Sequence, residues 1–255
     1  MELALVSLAS FLAGTVDSIV GGGGLVLLPA LFAAFPAAPP ATLLGTNKSA
    51  SIWGTAMATW QYSRRVQIDW RLLRPAILTA LGCSFLGAWA VTLIDPTFLR
   101  RSLPFILAAV LAYTLWRKEL GRVHAPRHPQ RQATLIACAI AGVVGFYDGF
   151  FGPGTGSFFI FLLVRFLGYD FLNASVSAKV LNVTTNAAAL LLFAAKGHIW
   201  WQLGLTMAVA NVAGSLLGAR LALRHGPGFV RVVFVLVVSA LIVKTGLDAF
   251  GGAAG

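Results

Sequence analysis

The sequence predicts an all-α integral membrane protein of two inverted-topology repeats, each a glycine-broken helical hairpin followed by three transmembrane helices. Three observations predict it: the composition, an internal repeat and the placement of basic loops. Of the 255 residues, 58% are hydrophobic and only 11% are charged, whereas an average soluble domain carries about 25% charged residues. Nearly uncharged runs recur along the chain, and several reach the roughly 20 residues that a spanning helix needs. This composition argues against a water-soluble domain.

The second observation is an internal repeat. The segment GTVDSIVGGGG at residues 14–24 matches GFYDGFFGPGT at residues 145–155, and each matched position lies 131 residues after its counterpart. The same offset, without a gap, pairs Lys48 with Lys179. A fixed repeat of this length in an apolar chain is typical of duplicated transporter folds, whose substrate site lies near the midplane between the halves.

This repeat divides the chain into two units and a linker. We predict repeat unit one at residues 1–116, a cytoplasmic basic linker at residues 117–131 and repeat unit two at residues 132–255. The linker reads RKELGRVHAPRHPQR and holds five Lys or Arg. We interpret its two histidines, His124 and His128, as solvated loop residues and not as a catalytic motif.

Each unit is predicted to begin with a broken element at its glycine run. The N-terminal segment MELALVSLASF lacks the basic region and the cleavage site of a secretory signal, so we expect it in the mature protein. In unit one the three continuous helices are predicted at residues 41–63, 72–94 and 97–116.

The third observation is the distribution of basic residues among the loops. In unit one the connection at residues 64–74 carries four arginines, which predicts a cytoplasmic loop. In unit two the equivalent connection, residues 193–203, holds only Lys196, and arginines appear one crossing later, between residues 220 and 231. The units are therefore expected to insert in opposite orientations, which requires an odd number of crossings per unit. A hairpin that enters and leaves from one side adds no crossing, so a hairpin followed by three helices gives an odd number of crossings per unit. This arrangement places both termini outside.

The glycine runs are predicted to break their helices at membrane depth, because Gly costs about 1 kcal/mol against Ala in a helix interior. Half-helices that begin near Leu25 and Gly156 would then point free N–H groups and positive dipole ends inward, and such helix ends bind anions. Residues of both runs are therefore assigned to a substrate site: Gly22, Gly23, Gly24, Gly154, Thr155 and Gly156.

Two lysines, Lys48 and Lys179, lie about 10 Å below the surface within predicted helices. An intramembrane lysine usually faces the bundle interior and marks a substrate path, although snorkelling to the headgroups is the alternative. Polar partners at i+3 and i+7 put each lysine on a polar helix face. Together these donors suit a small oxyanion; the partners assigned to the site are Thr46, Asn47, Ser51, Thr55, Ser177, Asn182 and Asn186.

Two aspartates precede the glycine runs by four residues. Asp17 and Asp148 are open to three roles, namely pairing with the lysines, fixing the broken elements or taking up protons for coupling, and pairing is favoured.

Cys83 and Cys138 show no clustering with other ligands, so free thiols and no metal or cofactor are expected. The net charge of +11 is explained by basic cytoplasmic loops, so nucleic acid is not an expected partner.

With these residues in view, the chain resembles the sulfite exporter TauE/SafE family, also called the DUF81 or TSUP permeases. The resemblance covers nearly the full length. It rests on the motif GTVDSIVGGGGLVLLPAL from residue 14, LLGTNKSAS at residues 43–51, YSRRVQIDWRLL at residues 62–73, and the later segments GFFGPGTGSF and SAKVLN.

The resemblance implies a multi-pass permease of the bacterial inner membrane, with lipid around it and, from the parity argument, periplasmic termini. It implies export of sulfite or of organosulfonates such as sulfoacetate. Alternating access is favoured by the residues themselves, because a continuous pore needs a polar lining and the outer parts of these helices are mainly apolar. An anion channel, or a permease for another small organic acid, is the alternative. No HExxH or GxSxG motif suggests an enzyme. Proton or ion coupling and homo-oligomerisation stay open.

The two half-sites are not equivalent in sequence. Ala178 stands at the position of Asn47 and Val180 at the position of Ser49, while Pro153 interrupts the second glycine run. These differences leave open which half-site contacts the anion.

Overall fold

The structure is a computed structural model that describes residues 2–95, 98, 125 and 128–251, with the side chains of the last helix described to residue 225 and at residues 229 and 232. The predicted helix at residues 97–116 and most of the predicted linker at residues 117–131 lie outside the described residues. Within the described residues every regular element is a helix. The helices are α1 (Glu2–Val20), α2 (Gly24–Ala34), α3 (Pro40–Ser63), α4 (Trp70–Val91), α5 (Gln130–Phe150), α6 (Thr155–Leu162, continued by the π-helical turn Leu163–Leu167), α7 (Phe171–Ala195) and α8 (Trp201–Gly251).

Five of these helices are long and apolar enough to cross a membrane within the described part of the chain. They are α1, α4, α5, α7 and the first half of α8, Trp201–His225. The 24 residues of α3 span roughly 36 Å at 1.5 Å per residue, but α3 is more polar because it carries many of the predicted site residues. The prediction of an all-helical membrane protein is confirmed, and the opposite insertion of the two units stays a prediction. The prediction of a connection between residues 220 and 231 is wrong, because these residues lie within the continuous helix α8.

The helix starts follow local capping signals. Pro40 begins α3, where its missing N–H costs nothing. The Asp69 carboxylate accepts hydrogen bonds from the N–H groups of Arg71 and Leu72, so α4 begins at Trp70, two residues before the predicted start. Asp170 caps α7 in the same way.

The predicted glycine breaks separate a long helix from a short one in each unit. After α1 the chain turns at Gly21, whose φ of +78° lies in the left-handed region that favours glycine. It then folds back along α1, so that a Cβ atom on Gly23 would lie 2.6 Å from the carbonyl oxygen of Ala13. In unit two Gly152 and Gly154 have φ values of +94° and +79°. The short helices α2 and α6 each begin one residue before the predicted starts.

Contacts between the units come in pairs that the 131-residue offset relates. Helix α4 packs along α5, and its counterpart α8 packs along α1, while α3 and α7 contact each other at the centre. The Ser84 hydroxyl donates to the carbonyl oxygen of Thr185 at 2.8 Å, and the hydroxyl of Ser215, 131 residues after Ser84, donates to the carbonyl oxygen of Gly54. The helices of each unit are therefore packed mainly against helices of the other.

Candidate functional site

A cavity of about 30 Å³ lies where the two glycine breaks meet. One water needs roughly 10–15 Å³ by this measure, so the space admits a ligand of a few heavy atoms. Helices of both units contribute to its wall. The lining residues are Ala13, Asp17, Gly21, Gly23, Gly24, Leu27, Asn47, Lys48, Ser51, Thr55, Asp148, Gly152, Gly154, Thr155, Gly156, Asn182, Asn186 and Asn211.

The two breaks touch each other beside this cavity. The N–H of Ser157 donates to the carbonyl oxygen of Gly21 at 3.0 Å, and its hydroxyl donates to that of Val20 at 2.9 Å. A Cβ atom on Gly156 would lie 2.6 Å from the same Gly21 oxygen, so the crossing requires glycine. The N–H groups of Gly24 and Gly156, in the first turns of α2 and α6, make no hydrogen bond to a described residue. Two unpaired donors and two helix N-termini therefore converge here.

Lys48 forms a buried ion pair with an aspartate of the other unit. Its Nζ lies 2.7 Å from Oδ1 of Asp148, and the two side chains are 3% and 2% exposed. Lys48 lies eight residues after the start of α3, and its ammonium points into the protein, not toward the headgroups. The second carboxylate oxygen of Asp148 and the amide oxygen of Asn47 are buried without a hydrogen-bond partner among the described residues.

Lys179 is equally buried but does not line the cavity. Its Nζ donates to the backbone carbonyl oxygen of Asp17 at 2.9 Å and lies 5.1 Å from the centroid of the Tyr62 ring. The Asp17 carboxylate accepts from the Thr55 hydroxyl at 3.0 Å and from the N–H of Gly23 at 3.4 Å. Lys179 therefore holds the end of α1, while Lys48 faces the cavity.

The polar faces of α3 and α7 meet at the cavity largely as the spacing predicts. Lys48, Ser51 and Thr55 line it from α3. Asn182 and Asn186 line it from α7 and are bonded to each other, Nδ2 of Asn186 donating to Oδ1 of Asn182 at 3.3 Å.

Besides Lys179, three residues assigned to the site lie outside the lining. The hydroxyl oxygen of Thr46 accepts from the N–H of Trp200 at 3.0 Å, in the loop between α7 and α8. Gly22 lies within the first break. Ser177 lines a separate cavity of about 500 Å³ with Asp69 and Tyr169. There burial and the Asp69 charge raise the pKa of the Tyr169 phenol above its ordinary value.

Asn211 is the polar lining residue that sequence reasoning missed. Its Nδ2 donates to the carbonyl oxygen of Ser10 at 3.0 Å, and the backbone of Gly54 packs against it. A search for repeated polar residues could not find it, because Ala80 stands at the corresponding position of unit one. The available signal was a lone amide side chain inside an apolar span.

Among the described residues, no cluster of three His, Cys, Asp or Glu side chains is arranged to hold a metal ion. Cys83 and Cys138 are free and half-buried.

Comparison with known proteins assigns the family. A family model described as "Sulfite exporter TauE/SafE" matches residues 6–245. The chain belongs to the sulfite exporter TauE/SafE family. No solved structure matches this TauE/SafE chain.

Relatives of this TauE/SafE protein are named as transporters. It is 35% identical over 249 residues to "Probable membrane transporter protein YfcA" of Escherichia coli strain K12, with 98% of this chain and 91% of the relative covered. It is 34% identical over 242 residues to "Probable membrane transporter protein ORF9" of Sinorhizobium sp, with 95% and 91% covered. A "Probable membrane transporter protein" of Haemophilus influenzae is 33% identical over 246 residues, with 96% and 95% covered. The chain is thus a membrane transporter and not an enzyme.

Proposed function

We propose that this TauE/SafE protein is a secondary transporter that exports a small sulfur-containing anion, such as sulfite or an organosulfonate like sulfoacetate. The observation that carries the proposal is the buried ammonium of Lys48 on a cavity sized for a few heavy atoms. In this structure Asp148 compensates the Lys48 charge, and a small anion that displaced Asp148 would keep the buried ammonium compensated, because desolvating a single charge is costly. The family description supports a sulfur oxyanion as that partner.

The remaining donors of the cavity suit an anion with several oxygens. The hydroxyl groups of Ser51 and Thr55 and the amide of Asn182 line the cavity with Lys48. The two hydroxyls donate here to the carbonyl oxygen of Asn47 and to the carboxylate of Asp17, and they would turn from these acceptors to bind an anion. The unpaired N–H groups of Gly24 and Gly156 add donors at two helix N-termini, where the helix dipole favours negative charge. We assign the anion to the Lys48 half-site and give Lys179 the role of positioning the break at Asp17.

The Lys48–Asp148 pair provides a route to proton coupling. An anion that binds Lys48 takes the place of Asp148, whose other carboxylate oxygen has no hydrogen-bond partner among the described residues. A carboxylate left unpaired in a buried site is neutralised by a proton. Before binding, the Lys48–Asp148 pair holds one cation and one carboxylate; after a singly charged anion such as hydrogen sulfite binds, it holds one cation, the bound anion and a neutral Asp148. The buried net charge is unchanged, so anion and proton move together.

Alternating access is the proposed mode of transport, with the units inserted as inverted repeats in the bacterial inner membrane and both termini in the periplasm. The contacts related by the 131-residue offset support this arrangement. In alternating access only one end of the site is open at a time, and the two ends of this site differ in that way. At one end, the hydroxyl oxygen of Thr46 accepts a hydrogen bond from the N–H of Trp200, and the Trp200 ring packs edge-on against Phe35 with 5.3 Å between the ring centroids. At the other end, Ser177, which is the counterpart of Thr46, lines a cavity. A channel would need both ends open together.

The test is binding of sulfite, sulfoacetate and simple carboxylates to the detergent-purified protein by calorimetry. We expect saturable sulfite binding that is abolished in Lys48→Ala and in Lys179→Ala. Lys196→Ala is the matched control, because Lys196 is exposed and its Nζ donates to the Thr92 hydroxyl far from the cavity. Undiminished sulfite binding in Lys48→Ala would contradict the assignment of the anion to Lys48, and undiminished binding in Lys179→Ala would contradict the positioning role of Lys179. Binding of carboxylates alone would identify a permease for another organic acid.

Transport in liposomes separates the transporter from the channel. A transporter exchanges labelled sulfite for unlabelled sulfite across the membrane faster than it moves sulfite alone. Sulfite conductance without such counterflow would favour the anion channel.

A further inference from the structure

A basic cavity of about 580 Å³ lies where α3 ends against α8, apart from the substrate cavity. Four arginines line it, two from the end of α3 and two from α8, over an apolar wall. These residues are Arg64, Arg65, Arg220 and Arg224, with Leu216 and Leu223 forming the wall.

No carboxylate of a described residue pairs with any of the four arginines. The guanidinium of Arg64 instead lies 5.1 Å from the centroid of the Trp60 ring. Gln61 lines the same cavity, and its Nε2 is buried without a hydrogen-bond partner among the described residues. Four like charges around one cavity repel each other unless an anion lies between them. The cavity therefore has charge and donors that the described chain leaves unused.

The cavity is placed at the level of lipid headgroups. Helix α3 ends at Ser63, and the basic residues Arg220, Arg224 and His225 follow the apolar run of α8 that begins at Trp201. Trp60 is 54% exposed beside the arginines, as an interfacial aromatic residue would be. Leu216 lies two turns before Arg224 on α8, so the apolar wall extends from the arginines toward the membrane interior.

The internal repeat supplies a comparison at the other end of the molecule. The 131-residue offset places Ala195 and Lys196 at the positions of Arg64 and Arg65, and Trp89 and Leu93 at the positions of Arg220 and Arg224. One lysine there replaces four arginines, and that lysine already donates to Thr92. The helix packing that the two units share therefore does not require the arginines, and the basic cavity is present at one end of the molecule only.

We propose that this cavity binds the headgroup of an anionic phospholipid. Guanidinium groups bind phosphodiester oxygens in bidentate fashion, and basic pockets between transmembrane helices bind anionic lipid headgroups. Four arginines suit a lipid with two phosphodiesters, such as cardiolipin, whose acyl chains lie along Leu216 and Leu223. Free phosphate matches the charge but leaves that apolar wall uncovered. The bound lipid joins α3, which carries Lys48, to α8 of the other unit.

The experiment measures lipid binding to the full chain after delipidation in neutral detergent. Cardiolipin, phosphatidylglycerol, phosphatidylcholine and inorganic phosphate are titrated separately, with thermal shift and native mass spectrometry as readouts. We expect a saturable stabilisation by cardiolipin, a weaker one by phosphatidylglycerol and none by phosphatidylcholine or phosphate. Arg220→Gln with Arg224→Gln is expected to weaken cardiolipin binding by roughly tenfold or more, and Lys196→Gln to leave it unchanged.

Two results would overturn the proposal. One is cardiolipin binding that is equal in the arginine variant and the native chain; the other is an equal stabilisation by inorganic phosphate, which would identify a free-anion site. If the α8 variant fails to fold, Arg64→Gln with Arg65→Gln tests the same cavity from the loop after α3. A monodisperse elution profile and a cooperative thermal unfolding transition establish that the variant is folded, and these arginines lie outside the Lys48 cavity.

Discussion

The Lys48–Asp148 ion pair allows stability and binding to be separated by mutation. The perturbation is Lys48→Met, Asp148→Asn and the two together. The paired atoms are 2.7 Å apart, and the side chains are 3% and 2% exposed. Removing one partner of a buried pair leaves an uncompensated charge and costs about 3–5 kcal/mol, whereas neutralising both is often close to neutral. Each single variant should therefore be less stable than the double variant.

Sulfite binding should follow a different order from stability. Lys48→Met and the double variant lose the cation and should not bind. Asp148→Asn removes the carboxylate that competes with the anion, so it should bind sulfite more tightly than the native chain and regain stability when sulfite is added. This opposite ordering distinguishes a binding lysine from a purely structural one.

The assay is denaturant unfolding in detergent micelles with and without sulfite, combined in a double-mutant cycle. The coupling energy between the two positions should be several kcal/mol. A coupling energy near zero would refute the ion-pair reasoning. Sulfite binding by the double variant would refute the assignment of Lys48 to the anion.

Three further predictions concern the glycine crossing, the proton and the closed end. In thermal unfolding, Gly21→Ala should destabilise the protein by about 1–3 kcal/mol more than Gly197→Ala. Both glycines have a positive φ, but of the two only Gly21 contacts a facing backbone. Equal losses of stability would contradict the crossing. Affinity for a sulfonate of constant charge should fall as pH rises, because binding takes up a proton at Asp148; a flat calorimetric pH profile would exclude coupling there. An impermeant thiol reagent should label the cysteine of Thr46→Cys more in the Trp200→Ala background than in the background with native Trp200. Unchanged labelling would place the gate elsewhere.

Much of the architecture was predictable because it depends on local sequence. Long apolar runs predict spans, and glycine runs predict breaks, since both effects act within a few residues. The spacing of Lys48, Ser51 and Thr55 predicts their shared face, and the structure places all three on one cavity. The start of α4 was displaced by the cap at Asp69, which is a local signal that the apolar run alone does not contain.

The difference between the two lysines was not predictable from the repeat, because it depends on partners in the other unit. The Asp17 carboxylate is satisfied by the hydroxyl of Thr55. Asn186, at the position equivalent to Thr55, is bonded to Asn182 instead. Asp148 therefore keeps a carboxylate that pairs with Lys48, whereas Lys179 reaches a backbone carbonyl.

The packing of α1 along α8 also has a consequence for biosynthesis. The hydroxyl of Ser10 donates to the carbonyl oxygen of Met207, 197 residues later. At about 5–20 residues per second, α1 waits roughly 10–40 s for that partner to be made. During this time its inner face meets lipid or the insertion machinery. That face bears small residues such as Ser10, Gly14 and Ser18, which a nascent helix exposes to a bilayer at far lower cost than a charge. Assembly of the first helix is thus completed only near the end of translation.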